Sequence, residues 1–177
     1  MSGIPIHHLL YNMSKASDKK VGFAPVYDEN SRILILGSFP SVKSREISFY
    51  YGNKQNRFWK MLCGYFAENV PETVEEKKEF LFRRGIALWD MATACEIEGS
   101  SDASVKNAEL ADLSLIFNAA RIERILLNGT LAYELFLREN ARVEIPYVKL
   151  PSTSPANPRF NEAAWRAELD VVFRISK

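Results

Sequence analysis

Apolar and polar residues follow two different periods along the chain, one typical of buried strands and one typical of helices. Four short apolar runs are bounded by turn residues, which predicts strands at residues 32–38, 86–91, 124–127 and 147–150. Apolar spacings of three and four, together with capping residues, predict helices near residues 56–65, 74–84, 112–120, 130–138 and 161–174. Strands joined by helices favour a mostly parallel sheet with helices on both faces. The pattern therefore predicts an α/β protein.

Polar residues follow each predicted strand at the point where the strand ends. In chain order these are Gly37-Ser38-Phe39, Asp90, Asn128-Gly129 and Ser152-Thr153-Ser154. A parallel sheet brings such loops together along one edge, where open α/β sheets bind their ligands. Each cluster alone is equally well explained by the turn and cap residues that strand-to-helix loops need. Together the four clusters predict a binding site at this edge.

Length and composition fit one domain over residues 1–177, in which residues 1–22 form an N-terminal arm. The chain has 177 residues, 47% of them apolar and 25% charged, which suits a single core. No apolar run approaches the roughly 20 residues of a membrane span, and no signal pattern opens the chain. We therefore expect a cytoplasmic protein that does not contact membranes.

Cysteine and histidine are scarce, and this narrows the chemistry. Cys63 and Cys95 lie in apolar or helical contexts, so neither a disulfide framework nor a cysteine metal site is predicted, and a reducing compartment fits best. The two histidines, His7 and His8, lie in the predicted arm, which disfavours a histidine triad or zinc site unless the arm folds back. Amides, carboxylates and hydroxyls must then carry most of the chemistry.

Charge is distributed unevenly, although the net charge is only +1. Residues 31–60 contain six cations and one acid, Glu46, a local charge of +5. The cations are Arg32, Lys43, Arg45, Lys54, Arg57 and Lys60. The segment that follows is rich in glutamate, so the surface is predicted to be dipolar with its positive pole near the first strand exit. From charge alone, an ordinary solvated exterior explains the pattern as well.

Five motifs, taken in this order, carry a family resemblance. They are Gly37-Ser38-Phe39-Pro40-Ser41, Phe49-Tyr50-Tyr51, Asn56-Arg57-Phe58-Trp59, Leu88-Trp89-Asp90 and Pro151-Ser152-Thr153-Ser154-Pro155-Ala156-Asn157. From about residue 23 onwards the chain resembles the uracil-DNA glycosylase superfamily. Its deoxyinosine (hypoxanthine) branch is the most similar, and the mismatch-specific thymine/uracil enzymes are more distant.

The resemblance implies a three-layer α/β/α fold with a central four-stranded parallel sheet. It also implies hydrolytic removal of a deaminated base, hypoxanthine first, from DNA in base-excision repair, without a cofactor or metal. Such enzymes flip the nucleotide out of the stack into a pocket and leave an abasic site. The expected partner is DNA that contains a deaminated base, and we expect the protein to be a monomer.

The resemblance assigns the catalytic amide to Asn56, and two departures from related sequences bear on this assignment. Mismatch-specific relatives have an asparagine where this chain has Phe39, so the water-positioning amide of that branch is missing here. In the deoxyinosine branch the asparagine that opens the Asn-x-Phe-Trp motif takes this role. Asn53-Lys54 stands where relatives usually have His-Pro, which affects the loop ahead of Asn56.

Asn56 and Asp90 are the predicted catalytic residues. Loss of a purine passes through an oxocarbenium-like state, so the site must position water and relieve charge on the base. The amide of Asn56 can do both, and its alternative role is a helix N-cap. Asp90 can accept the N1–H of hypoxanthine, or protonate the base if burial raises its pKa. A turn or helix cap is the alternative for Asp90.

The remaining predicted site residues bind the base or the DNA backbone. Gly37, Ser38, Phe39 and Tyr51 are predicted to bind the base, with Tyr51 and Phe39 on its two faces. Predicted DNA contacts are Ser41, Lys43, Arg57, Ser152, Thr153, Ser154, Ala156 and Asn157. An ordinary strand-to-helix connection is the alternative for the last five. Tyr50, Trp59 and Trp89 are assigned to the core, and Asn128-Gly129 to a helix cap.

Other functions stay open at this point. A uracil or G:T/U mismatch DNA glycosylase is the nearest alternative. A small-molecule nucleoside hydrolase could use the same sheet edge, but it should need more carboxylates than Asp90 alone. A non-catalytic DNA-binding module would explain the basic segment, although it has little need for Asn56 and Asp90 among aromatic residues.

Overall fold

The computed structural model describes residues 19–97 and 105–174, and two sheets organise them. The strands are β1 (Lys19–Val21), β2 (Ile33–Gly37), β3 (Ile86–Asp90), β4 (Ala92–Ile97), β5 (Val105–Leu110), β6 (Arg124–Asn128) and β7 (Tyr147–Leu150). The helices are α1 (Val42–Ile47), α2 (Phe58–Tyr65), α3 (Val74–Arg83), α4 (Ser114–Phe117), α5 (Thr130–Asn140) and α6 (Glu162–Phe173).

The central sheet has four parallel strands in the order β3-β2-β6-β7, and helices flank it. Every residue of β2 and β3 is buried, which explains their continuous apolar sequences. In the register, Gly37 lies opposite Asp90 and Asn128 lies opposite Leu150, so all four strands end at one edge. The predicted α/β/α fold with a four-stranded parallel sheet is therefore confirmed.

The predicted elements agree with the structure apart from their ends. The strand ends differ by at most one residue from the prediction, β7 is unchanged, and α5 continues to Asn140 beyond the predicted end. Helix α2 begins at Phe58, so Arg57 and not Asn56 occupies the N-cap position. The predicted helix at 112–120 forms only as α4. There the Oδ1 of Asp112 accepts a hydrogen bond from the Ser114 N–H at 3.0 Å.

A second sheet was not predicted. Strands β1, β4 and β5 form an antiparallel sheet in the order β1-β4-β5. Residues 19–21 therefore belong to a strand and not to a separate arm, whereas residues 1–18, with His7 and His8, lie outside the described residues. Backbone bonds join this sheet to the central one: the Met91 N–H donates to the Gly37 carbonyl at 2.8 Å, and the Ala92 N–H to the Ser38 carbonyl at 2.9 Å.

Helix α1 also escaped prediction, because it is short and polar. Its N-cap, Ser41, accepts a hydrogen bond from the Ser44 N–H at 3.1 Å, and Ser48 ends it in the left-handed conformation with φ of 56°. Since α1 follows β2 almost directly, it places Ser41 and Ser44 beside the strand exit.

The core assignments of three aromatic residues are confirmed. Tyr50, Trp59 and Trp89 are buried, and the polar atom of each donates a hydrogen bond to a backbone carbonyl. Cys63 and Cys95 are buried free thiols, and burial, with Glu68 nearby, raises the pKa of the Cys63 thiol to about 11. Within residues 19–97 and 105–174, no helix is long and apolar enough to cross a membrane.

Candidate active site

A cleft of about 500 Å³ opens beyond the carboxyl ends of the central strands. Its walls come from the β2 exit with α1, the residues ahead of α2, the ends of β3 and β6, and the loop after β7. The lining residues are Gly37, Ser38, Phe39, Pro40, Ser41, Ser44, Tyr50, Tyr51, Asn56, Asp90, Asn128, Ser152, Thr153, Ser154 and Ala156. The structure thus brings the four polar clusters together. Lys43, Arg57 and Asn157 are predicted DNA contacts that do not line the cleft.

Gly37 permits the closest approach in the cleft. A Cβ on this residue would overlap the Oδ1 of Asp90 and come within 3.1 Å of the Tyr51 hydroxyl oxygen. Asp90 is only 5% exposed and lies on the neighbouring strand directly opposite Gly37. The missing side chain is therefore what allows a carboxylate and a phenol to share one corner of the cleft.

Asn56 lies in the cleft wall just before α2. Its Oδ1 accepts a hydrogen bond from the Phe58 N–H at 2.9 Å, and its own N–H donates to the Asn53 carbonyl at 2.8 Å. The side chain thus bridges two residues forward as an Asx turn, one position ahead of the observed N-cap, Arg57. Among the described residues, its Nδ2 has no hydrogen-bond partner. Because the Phe58 N–H fixes which amide atom is oxygen, the NH₂ group remains available to a ligand.

Tyr51 is held by its backbone, its ring and its hydroxyl. The backbone has φ of 53°, in the left-handed region that costs a residue with a side chain about 1–3 kcal/mol. The ring stacks on Phe58 with centroids 4.0 Å apart, so only the other face is open to a base. The hydroxyl accepts a hydrogen bond from Asn128 at 3.0 Å. Burial, with Asp90 nearby, raises the pKa of Tyr51 well above its usual value.

Phe39 and Ser38 occupy the β2 exit. Phe39 is 8% exposed, and the Arg45 guanidinium lies 5.8 Å from its ring centroid. Ser38 is half-buried, and its carbonyl is bonded to β4. Both residues line the cleft with Gly37 and Tyr51, while their contact with a base stays a prediction.

Asn128 is a cleft residue that the sequence analysis assigned to a helix cap, and that assignment is wrong. The N-cap of α5 is Gly129, with φ of 95° and no side chain to cap with. Asn128 is 8% exposed and hydrogen-bonds Thr153 twice and Tyr51 once. One signal could have found it: an asparagine that ends a buried parallel strand, in the same position as Asp90 on its strand.

Hydrogen bonds on the side away from the cleft hold the loop after β7. The Asn157 Nδ2 donates to the Ser152 carbonyl at 2.9 Å, and the Ser154 N–H donates to the Ser152 Oγ at 3.2 Å. Ala156 is exposed at the tip. Trp165 of α6 donates from its indole N–H to the Pro151 carbonyl at 2.8 Å. The loop therefore presents Ser152, Ser154 and Ala156 to the cleft from a fixed base.

Arg57 contributes most to this fastening. Its guanidinium donates to the Ser154 carbonyl and, at 2.8 Å, to the Asn157 carbonyl, and it lies 4.5 Å from the Phe160 ring centroid. Its backbone N–H also donates to the Thr153 carbonyl at 3.1 Å. Arg57 thus holds the loop, and its contact with a DNA phosphate stays a prediction.

The positive pole is smaller than the sequence suggested. Arg32 precedes β2 at the opposite edge of the sheet, where it forms an ion pair with Glu123 at 2.7 Å. Lys43 and Lys54 are exposed near the cleft, and Lys43 lies on α1 between two cleft-lining serines. Counting all six cations in one patch was therefore wrong, because a strand separates Arg32 from the others.

An open parallel sheet with a polar, aromatic-lined cleft beyond the carboxyl ends of its strands defines an α/β protein with a ligand-binding site at this edge. The family model described as the uracil DNA glycosylase superfamily matches residues 24–169, and the chain belongs to that superfamily.

Individual relatives agree with this membership. The chain is 39% identical over 159 residues to a protein of Methanosarcina acetivorans named hypoxanthine DNA glycosylase, covering 88% of this chain and 98% of that one. It is 38% identical over 124 residues to a protein of the same name from Methanosarcina barkeri, covering 68% and 78%. A solution NMR structure of a Methanosarcina acetivorans protein, described as a candidate uracil DNA glycosylase, matches with a TM-score of 0.73 and 37% identity over 85% of this chain and 96% of that one.

We predict that Gly37→Ala lowers the free energy of unfolding by about 1–3 kcal/mol, because the added methyl displaces Asp90 from a packed position. Urea denaturation measures the loss. Gly64→Ala is the matched control: this glycine is exposed on α2, and a Cβ there would meet only the Arg166 side chain at 3.5 Å. Alanine favours helix, so the control should be neutral or more stable. Equal stability of the two variants would contradict the close approach at Gly37.

We predict that Arg57→Lys loosens the loop at residues 152–157 although the positive charge is kept. Lysine has one nitrogen donor, whereas the guanidinium reaches the Ser154 and Asn157 carbonyls from Nη2 and the Thr153 carbonyl from Nε at 3.4 Å. Amide hydrogen exchange in the loop should become about tenfold faster, which corresponds to about 1.4 kcal/mol. Arg138→Lys, in the last turn of α5, is the control and should leave the loop unchanged. Unchanged exchange in Arg57→Lys would show that the guanidinium does not hold the loop.

Proposed function

We propose that the protein is a monofunctional DNA glycosylase that flips a deaminated base, hypoxanthine first, out of DNA and hydrolyses its glycosidic bond. The observation that carries the proposal is the meeting of Asn56, Asp90 and Tyr51 in one cleft of a chain that belongs to this superfamily. The names of the two Methanosarcina relatives support hypoxanthine as the base.

The chemistry needs one water molecule and no further reactant. The bond between the base nitrogen and C1′ breaks with its electron pair going to the base, and the sugar develops oxocarbenium character. Water adds to C1′ as hydroxide, and its proton leaves with the base. The Asn56 Oδ1 retains one lone pair beyond its bond to Phe58, and its NH₂ group retains two donors, so the amide can orient this water or stabilise the departing base.

Asp90 is the residue proposed to bind the base edge. Its carboxylate is buried at the end of β3, beside the cleft and opposite Gly37. A carboxylate accepts hydrogen bonds, and the N1–H of hypoxanthine is a donor, whereas N1 of adenine is an acceptor. Asp90 thereby favours the deaminated purine over its parent.

The rim of the cleft suits a DNA backbone. Ser41 and Lys43 are exposed on one side, and Ser152, Ser154, Ala156 and Asn157 form the other side. Hydroxyl and ammonium groups of this kind contact phosphate oxygens irrespective of base sequence. A small-molecule nucleoside hydrolase is less well supported, since Asp90 is the one carboxylate among the described cleft-lining residues.

Uracil is the second candidate base. The superfamily name and the description of the NMR neighbour favour it. Separate duplexes that contain hypoxanthine, uracil, xanthine or a thymine mismatch, followed by alkaline cleavage of abasic sites, distinguish the candidates. We expect hypoxanthine to be excised fastest. Excision of uracil alone would replace hypoxanthine with the second candidate, and no excision of any base would contradict the proposed function.

We predict that Asn56→Ala lowers single-turnover excision at least about 10²-fold, or about 2.7 kcal/mol, while DNA binding survives. Asn56→Asp is the informative partner. Its carboxylate still accepts from the Phe58 N–H and suits the start of α2, so the melting temperature should hold. It lacks the NH₂ donors and repels phosphate, so excision should be lost as well. An active Asn56→Asp enzyme would reduce Asn56 to a structural role.

We predict that Lys43→Glu weakens binding to every DNA sequence. The plot of log affinity against log salt should become less steep, with the magnitude of its negative slope reduced by about 1. Lys43 is exposed on α1, and Ser41 and Ser44 on either side of it in the sequence line the cleft, so its ammonium is available to a phosphate backbone at this rim. Arg138→Glu makes the same charge reversal in the last turn of α5, at the end of that helix away from the cleft, and serves as the control. Equal losses in the two variants would point to net charge alone, and a flat salt dependence of the unchanged protein would contradict DNA binding at this rim.

A further inference from the structure

The hydrogen bonds of the Asn128 amide fix its orientation without ambiguity. The Thr153 backbone N–H can only donate, and it lies 3.0 Å from one amide atom, which must therefore be Oδ1. The other atom is then Nδ2, which lies 3.0 Å from both the Thr153 Oγ1 and the Tyr51 hydroxyl oxygen. Both protons of the NH₂ group are thus donated, one to each hydroxyl.

This orientation determines what the Tyr51 hydroxyl can do. Its oxygen already accepts from Asn128, so its remaining strong function is to donate its own proton. Burial and Asp90 keep the pKa of Tyr51 high, so the proton is present throughout the neutral range. The ring cannot turn away easily, since Phe58 stacks on it 4.0 Å away. Tyr51 is therefore a fixed donor in the cleft wall.

A fixed donor lies here beside a fixed acceptor. The Tyr51 hydroxyl and the Asp90 carboxylate both close on the space where Gly37 lacks a Cβ, from two different elements of the chain. A deaminated base presents the matching pattern along one edge: a ring N–H next to an exocyclic carbonyl. Adenine and cytosine present the reverse, a ring acceptor next to an amine.

We propose that Tyr51 and Asp90 recognise this edge together, with the Tyr51 hydroxyl donating to the exocyclic carbonyl oxygen and Asp90 accepting from the ring N–H. Asn128 is the positioning residue that keeps Tyr51 a donor. The inference rests on the proposed function and deepens it, because the same pair fits hypoxanthine and uracil and disfavours their parent bases, adenine and cytosine. It assigns the Tyr51 hydroxyl to the edge of the base in place of the predicted stacking of the Tyr51 ring on its face, since a stacked ring cannot also donate in the plane of the base.

The test compares hypoxanthine with unsubstituted purine, which lacks the exocyclic oxygen and, with it, the N1–H, so that the Tyr51 hydroxyl has no carbonyl to bind there. Tyr51→Phe keeps the ring and removes only the donor. Asn128→Asp keeps an acceptor for the Thr153 N–H and for the Thr153 hydroxyl proton, but it cannot donate to Tyr51 and turns the phenolic proton towards itself. Each variant should lower the ratio of hypoxanthine to purine excision about tenfold, the usual effect of one lost hydrogen bond.

The double variant and a control tyrosine complete the design. Tyr51→Phe with Asn128→Asp should lower the ratio no further than either change alone, since both remove the same donation. Tyr147→Phe, at the start of β7 on the opposite edge, should leave the ratio unchanged. Should Asn128→Asp fail to give a cooperative melt, Tyr51→Phe decides alone.

Each outcome supports or overturns the inference. Parallel losses on both bases would show a merely structural role, and an unchanged ratio or additive losses in the double variant would remove the recognition pair. If the unchanged protein excises hypoxanthine while the ratio ignores Tyr51, only this inference fails. If the unchanged protein excises no deaminated base, the proposed function fails, and the inference fails with it.

Discussion

Gly37 lies directly across from Asp90 in the register of β2 and β3, and the absence of a Cβ at this point leaves room for the carboxylate. Two other polar groups of the cleft lie around this space. The Tyr51 hydroxyl reaches the same space from the segment before α2, and Asn128 holds that hydroxyl from the end of β6. A shift of one residue in the pairing of β2 and β3 would take Asp90 away from the space beside Gly37.

The buried polar groups of the cleft are stable because they hydrogen-bond one another. A buried amide costs about 1–3 kcal/mol when it lacks partners, so Asn128 and Thr153 stabilise the cleft wall only because they bond each other. Arg57 similarly uses its charge on the carbonyls of the loop. Groups fixed in this way need little reorganisation when a ligand arrives, which is the property that strengthens electrostatic stabilisation of a transition state.

The sequence was informative where one physical effect dominates. Buried parallel strands such as β2 and β3 are continuous apolar runs, and they were predicted within one residue at each end. The sheet of β1, β4 and β5 was missed because its strands are short and half polar, and because β4 follows β3 after Met91 alone. Single side chains were harder. The sequence cannot show whether an asparagine after a strand caps the next helix or turns inward, since that depends on Thr153, 25 positions away.

Fewer cations are available near the cleft than the sequence suggests. Arg32 is paired with Glu123 and Arg57 is bonded to the loop, so a few exposed lysines are left for phosphates near the cleft. Flipping a base costs a few kcal/mol, least for a base that pairs poorly. A weakly charged protein must offset that cost inside the pocket, by packing the base against the aromatic wall of the cleft and by hydrogen bonds to the edge of the base. Hypoxanthine and uracil pair less well in DNA than their parent bases, and each carries the ring N–H and the carbonyl that Asp90 and Tyr51 are proposed to bind.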